Sequence, residues 1–224
     1  MGIFGGLWSR LGRSGQSVKQ EGFVESDCVT VGGQVWMSRN LNVSTFRNGD
    51  PIPEARTPEE WIESGTKKQP AWCYYNNDAE LGVTYGRLYN WFAVSDKRGL
   101  APKGWHVPAD KEYDNQENRE FGQLISHLGG DYYAGSKLKE IGTKHWREPN
   151  NAPADNTSGF TALPGGMREN SGKFESMGWH GYWWTASFWT TTTAYILTLQ
   201  YDSGGAVLAY TEKMRGLSVR CLRD

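Results

Sequence analysis

From Trp179 to Asp224 the chain crowds Trp, Tyr, Thr and Gly together and carries almost none of the residue patterns of enzyme chemistry. Three strings dominate: GYWWTASFWTTTTAY from Gly181 to Tyr195, LQYDSGGAV from Leu199 to Val207, and the closing GLSVRCLRD from Gly216. The whole chain shares the bias, with 28 Gly, 11 Trp and 11 Tyr in 224 residues, and this composition predicts a loop-rich fold with large buried rings. Rigid rings beside small, adaptable neighbours also suit a binding surface, because they supply contact area at low entropic cost. Recognition is therefore expected before catalysis.

Charge and targeting signals remove several classes. Lys plus Arg total 24 against 25 Asp plus Glu, so the basic excess of a nucleic-acid binder is missing. No stretch approaches the roughly 20 apolar residues that span a bilayer, and MGIFGGLWSRLGRSGQ lacks the apolar core of a secretory signal. Gly6 stands where N-myristoylation needs Ser or Thr. The expectation is a chain made in the cytoplasm without membrane insertion. Cys28, Cys73 and Cys221 are odd in number, show no CxxC spacing and have no histidine at a zinc-like interval, which reads as buried or free thiols with one bridge left open.

Residues 1–22 read as a tail or attachment segment, and residues 23–224 as the domain. VTVGGQVWM from Val29 predicts a hairpin about its Gly pair, leading into the RNLNV strand end. Thr57-Pro58-Glu59-Glu60 predicts a capped surface helix running to Gly65. A longer helix is expected after Pro108, with Asp110 near its start, Phe121, Leu124, Ile125 and Leu128 on one face, and Gly129-Gly130 as its stop. A shorter one follows at Ser136–Ile141. The stretch HWREPNNAPADNTSGFTALPGG is a long loop of the kind that is functional or packed by its own side chains. YILTLQY and GLSVRCL alternate as strands do, placing Ile196 or Leu197, Leu199, Val219 and Cys221 in the core.

The ordered strings VGGQVWMSRNLNV, CYYNND, TYGRLYNW, APKGWHVPAD, AGSKLKEIGTKHW, SGFTALPGG, GYWWTAS and GLSVRCLRD resemble the Fibrobacter succinogenes major paralogous domain over residues 28–224. That family is related to the formylglycine-generating-enzyme branch of the C-type lectin-like fold. The resemblance implies an α+β domain with two helices, small twisted antiparallel sheets, long irregular loops, and N- and C-terminal strands that lie close together. It also implies that Gly104 to His106, Leu163 to Gly166 and the SVRC strand are scaffold. Many relatives carry Cys where this chain has Ala101, so a family disulfide to Cys221 cannot form, which fits a reducing compartment.

The chemistry of that branch is incomplete here. Its oxidases hold copper with a C-x4-C pair, and the residue five positions before Cys221 is Gly216, leaving one thiol where Cu(I) needs two. Glu148-Pro149-Asn150 looks like the tripeptide with which calcium-dependent lectins contact sugars, but their Trp-Asn-Asp partner string is absent. His106, His127, His145 and His180 sit in no catalytic motif. No cofactor is called for.

The resemblance implies a further possibility, a ligand-binding variable protein diversified by a retroelement, as several proteins of this scaffold are. Tyr182, Trp183, Trp184, Leu199, Val207, Gly216, Ser218, Val219 and Arg220 resemble framework. The candidate binding set is Phe188, Trp189, Thr190, Thr191, Thr192, Thr193, Tyr201, Asp202, Ser203, Tyr210, Thr211, Glu212 and Met214. Phe188, Trp189, Tyr201 and Tyr210 are its expected anchors, with Thr and Ser hydroxyls as adaptable hydrogen-bonding groups. The expected partner is a protein or glycan on a cell or particle surface in a phage or bacterial setting, with the domain displayed on a virion or cell. The opposing reading places Phe188 and Trp189 in the core and makes Thr190 to Thr193 plain strand.

Overall fold

The computed structural model describes residues 27–110, 119–148 and 154–224. The tail assigned to residues 1–22 lies outside them. The chain builds a mixed α+β structure of small antiparallel sheets joined by long loops; two of the sheets are two-stranded, β3 (Trp72–Cys73) with β4 (Leu88–Tyr89) and β6 (Gly165–Arg168) with β7 (Phe174–Met177). Strand β1 (Cys28–Val31) turns through Gly32 and Gly33, both at positive φ, into β2 (Gln34–Met37), the turn geometry a Gly-Gly hairpin is selected for. The RNLNV segment that follows forms no strand. Instead β2 pairs with β11 (Leu222–Arg223), which pairs with β5 (Trp105–His106), so the two ends of the described chain meet in one four-stranded sheet.

Among the described residues two helices reach eight residues. Helix α1 (Pro58–Thr66) begins in the expected capping box, with Thr57 accepting from Glu60 N and Glu60 accepting from Thr57 N. It is not a mere surface element, because Trp61 is 0% exposed. Three shorter helices bring the number of described α-helices to five where the resemblance implies two: α2 (Ala79–Tyr85), α3 (Trp91–Val94) and α5 (Ala134–Leu138) flank α4 (Glu120–His127). Helix α4 buries Phe121, Leu124 and Ile125 as its 3-4 spacing predicts, and the chain stops it at Gly129 and Gly130 with φ of 100° and 92°. Asp110 precedes it by a long interval yet caps it, accepting from Phe121 N at 2.7 Å and Gly122 N at 3.1 Å. Burial still pushes the Asp110 carboxyl up to about 7.

The buried tryptophans tie separate segments together. A buried indole must place its N–H, and a backbone carbonyl has a second lone pair to receive it even where a ladder uses the first. Trp72 donates to Ile52 O, Trp91 to Thr185 O, Trp146 to Ala162 O and Trp184 to Tyr89 O, each at 2.8 to 3.0 Å. Trp36 stacks on Phe121 with ring centroids 5.0 Å apart, fixing the first hairpin to α4.

GLSVRCL does not form one strand. Gly216 bonds to Arg168, Leu217 to Tyr89, Ser218 to Trp184, Val219 to Leu41 and Cys221 to Met37 through backbone groups, so each step of the segment pairs with a different part of the fold. Its burial is what the alternating pattern misreads, because side chains on both faces are enclosed: Leu217, Val219 and Cys221 are fully buried, and so are Ser218 and Arg220.

His106 closes the four-stranded sheet onto α4. Its Nδ1 lies 2.8 Å from Asp224 and its Nε2 2.7 Å from Glu120, and hydrogen bonding to Glu120, then to Asp224, raises its pKa against the effect of burial. A base whose pKa is raised by folding contributes stability that is complete below its unfolded value of about 6.5 and is lost as pH rises through the folded value. The thermal midpoint is therefore expected to fall across that window in the wild type and to fall less in His106→Gln. Superimposable pH profiles would show that the bridge contributes nothing.

Candidate binding face

Three strands carry the C-terminal candidates. The long hairpin β8 (His180–Phe188) and β9 (Thr193–Gln200) is extended by β10 (Ala206–Glu212), giving the order β10-β9-β8. Trp183, Trp184, Leu197 and Leu199 point into the core, and Ile196 joins them. Ends of this sheet are set by loops on opposite sides: residues 189–192 join β8 to β9, and residues 201–205 join β9 to β10.

The structure accordingly divides the candidate set. Phe188, Trp189, Thr190, Thr191, Thr192 and Thr193 gather at one end with Tyr210, which pairs with Tyr195 in the register of β10 and β9. Phe188 is 57% exposed, Trp189 42% and Tyr210 59%. Trp189 stacks on Tyr210 with centroids 6.0 Å apart and planes inclined by 22°, and meets the edge of Tyr195 at 5.7 Å. Phe188 and Trp189 are thus not core residues.

Tyr201, Asp202 and Ser203 belong to the other end. An eight-residue strand separates the two loops by about 25 Å at the usual rise per residue, so one compact ligand contact does not include both. Tyr201 is half-buried and packs edge-on against Trp179 at 5.0 Å, with the Arg147 guanidinium 3.9 Å above the Trp179 ring. Thr211 is buried, and Met214 lies over Gly65 of α1, where an added methyl would fall 2.6 Å from its Cε. Glu212 forms an ion pair with Arg215, its Oε2 lying 2.9 Å from Nε, and accepts from Thr211 Oγ1 at 3.2 Å. Val207, which resembles the family framework, is 53% exposed because it sits on the open face of an edge strand.

Each loop is held by a lysine that the sequence reading leaves out. Lys213 is buried and donates to Thr190 O at 2.9 Å and Thr191 O at 3.2 Å, with its ammonium 4.4 Å from the Trp91 ring and 4.7 Å from that of Phe188. At the far end Lys139 is buried and donates to Gln200 O, Tyr201 O and Ser203 O. Burial lowers the pKa of both, that of Lys139 to about 8. Nothing local marks a lysine as one that turns inward to bind loop carbonyls, so neither residue could be found by pattern.

The Thr run has its own order. Thr190 Oγ1 accepts from Thr192 N at 3.2 Å and Thr193 N at 3.1 Å, while Trp189 N and Thr190 N donate to Thr193 O. A side chain that replaces missing backbone partners makes a tight, preformed turn. The rings therefore stand on a fixed base.

The residues for metal and redox chemistry lie elsewhere. Cys221 is fully buried, with its thiol pushed up to about 12 by burial. At Gly216 an added Cβ would fall 2.8 Å from Trp61 Cζ2. Glu148 accepts from Thr143 Oγ1 at 2.7 Å, and Pro149 and Asn150 lie outside the described residues.

Residues 29–223 match the family model described as the Fibrobacter succinogenes major domain. No curated protein and no solved structure matches the chain.

Proposed function

The chain belongs to the Fibrobacter succinogenes major domain family, and we propose that it is a non-enzymatic binding protein with a C-type lectin-like fold, engaging a protein or glycan on a cell or particle surface through Phe188, Trp189 and Tyr210. The observation that carries this reading is the exposed pair Trp189 and Tyr210, in which Trp189 on a turn whose backbone is locked from beneath stacks on Tyr210 of the neighbouring strand β10. Clustered exposed rings with a polar rim are the usual anchors of an interface, and a preformed loop lowers the entropy lost on binding. Thr190, Thr191 and Thr192 provide that rim. The meeting of terminal strands in one sheet supports the lectin-like assignment.

The non-enzymatic part rests on the sites that chemistry would require. A copper-dependent oxidase of the related branch needs a second thiol where Gly216 is packed against Trp61, and fold alone does not carry activity. The exposed turn further suits a surface diversified by a retroelement, since replacing its side chains would cost the core little.

The test uses fluorescent full-length protein and intact bacterial cells. The variant Trp189→Ala/Tyr210→Ala is expected to bind about tenfold less or weaker, equivalent to about 1.4 kcal/mol, with an unchanged thermal midpoint. If it unfolds instead, the rings are structural and the assignment fails. Binding abolished by chelator would favour the calcium-dependent lectin. Adjacent DNA lacking both a reverse transcriptase and an adenine-rich template repeat of the final segment would remove the diversification reading.

A further inference from the structure

A cavity of about 430 Å³ is lined by Ser38, Thr84, His145, Thr161 and Leu163 among others, and shares no residue with the aromatic face. Arg39, Asn40, Val83 and Thr84 also line a depression of about 230 Å³, so the two make one groove. Inside it His145 is oriented by Glu140, whose two carboxylate oxygens lie 3.0 and 2.7 Å from Nδ1, and by the edge of Tyr85 at 5.6 Å. A carboxylate on Nδ1 fixes the tautomer that carries its proton there, leaving Nε2 as an acceptor. Among the described residues, Nε2 and the hydroxyls of Ser38 and Thr84 have no hydrogen-bond partner.

The wall beside them is strained. Thr161 has φ of 52°, a left-handed conformation that a β-branched residue rarely takes. It is held there by Asn156, whose Oδ1 accepts from Thr161 N and whose Nδ2 donates to Thr161 Oγ1, both at 2.9 Å. Strain of this kind persists where the surroundings over-determine it and concentrates at ligand sites.

The chemistry of the open groups selects the ligand. Arg220 already donates to Asn40, Met37 and Phe160, whereas the Arg39 side chain is 75% exposed, with the Asp27 carboxylate 3.8 Å from its Nε. What remains are hydroxyls, which donate and accept, an imidazole acceptor and the guanidinium donors of Arg39, whose charge the carboxylates of Asp27 and Glu140 in the lining offset, beside Val83, an apolar ridge 81% exposed. We propose that this groove binds a neutral saccharide without a metal ion, its hydroxyls on Ser38, Thr84 and His145 Nε2 and its C–H face on Val83. This is a site distinct from the aromatic face, and its success or failure leaves that reading untouched.

The probes are the methyl glycosides of glucose, galactose, mannose and N-acetylglucosamine at millimolar concentration with EDTA present, read by saturation-transfer NMR on the full chain. At least one is expected to bind the wild type and the Trp189→Ala/Tyr210→Ala variant alike. Thr84→Trp and Val83→Arg, both at exposed positions, are expected to weaken it about tenfold or more with unchanged thermal midpoints. No binding of any glycoside, equal binding by both groove variants, or loss of binding in the aromatic double variant would each overturn the proposal.

Discussion

Replacing Arg220 by methionine is expected to cost about 3–5 kcal/mol of stability, measured as the shift in a urea unfolding curve. The guanidinium is 1% exposed and, among the described residues, pairs with no carboxylate; its donors go to Met37 O, Phe160 O and the side-chain oxygen of Asn40. That oxygen also receives the indole N–H of Trp183, so one arginine ties the first hairpin, the Phe160 loop and β8 to the C-terminal segment. Methionine matches much of the volume and keeps the contact with the Phe160 ring, 4.4 Å from the guanidinium carbon. Packing is thus largely preserved while two buried carbonyls lose their donor, and an orphaned buried acceptor costs roughly 1–3 kcal/mol. A lysine at the same position is expected to recover only part of the loss, because one ammonium cannot span the same fork of acceptors. A shift below about 1 kcal/mol for Arg220→Met would mean that water replaces the guanidinium without penalty, and the tie would then be incidental.

Arg220 also illustrates which parts of this fold are legible in the chain. Its place in the framework is suggested by the resemblance of SVRC to relatives, but its three partners are not, since Met37, Asn40 and Phe160 are distant in sequence. Local signals carried the local elements: the Gly pair at 32 and 33, the capping box at Thr57 and the spacing of Phe121, Leu124 and Ile125 each specify a turn or a face by nearest neighbours. The period of two in GLSVRCL is real, yet it describes a segment whose backbone pairs in turn with five other places. The candidate face was legible in part for the same reason. Phe188 to Thr193 and Tyr210 were singled out by type, but whether Tyr201 lies beside them depends on which end of β9 each loop occupies, and composition is silent on that.

Lys213→Met is the change expected to reach both stability and binding. It removes donation to Thr190 O and Thr191 O and the attraction of the ammonium for Trp91 and Phe188, while leaving the backbone bonds of residue 213 to Thr192 and Trp91 in place. Hydrogen bonds from a charged donor contribute about 1.5–3 kcal/mol each, and the contacts with rings add about 0.5–2. Against this stands the cost of burying the ammonium, which is why its pKa lies below the ordinary lysine range. A net loss of about 2–4 kcal/mol follows, readable in urea. The exposed rings themselves remain after this substitution, and only their support changes. Faster hydrogen exchange at the amides of Thr192 and Thr193, both bonded to Thr190 Oγ1, should therefore accompany weaker binding to the same cells that test Trp189 and Tyr210. Lys213→Arg, which keeps a donor beneath the loop, should retain more of both properties. Wild-type exchange rates in Lys213→Met together with undiminished binding would separate the lysine from the loop, leaving the Thr190 turn alone to set the position of Trp189.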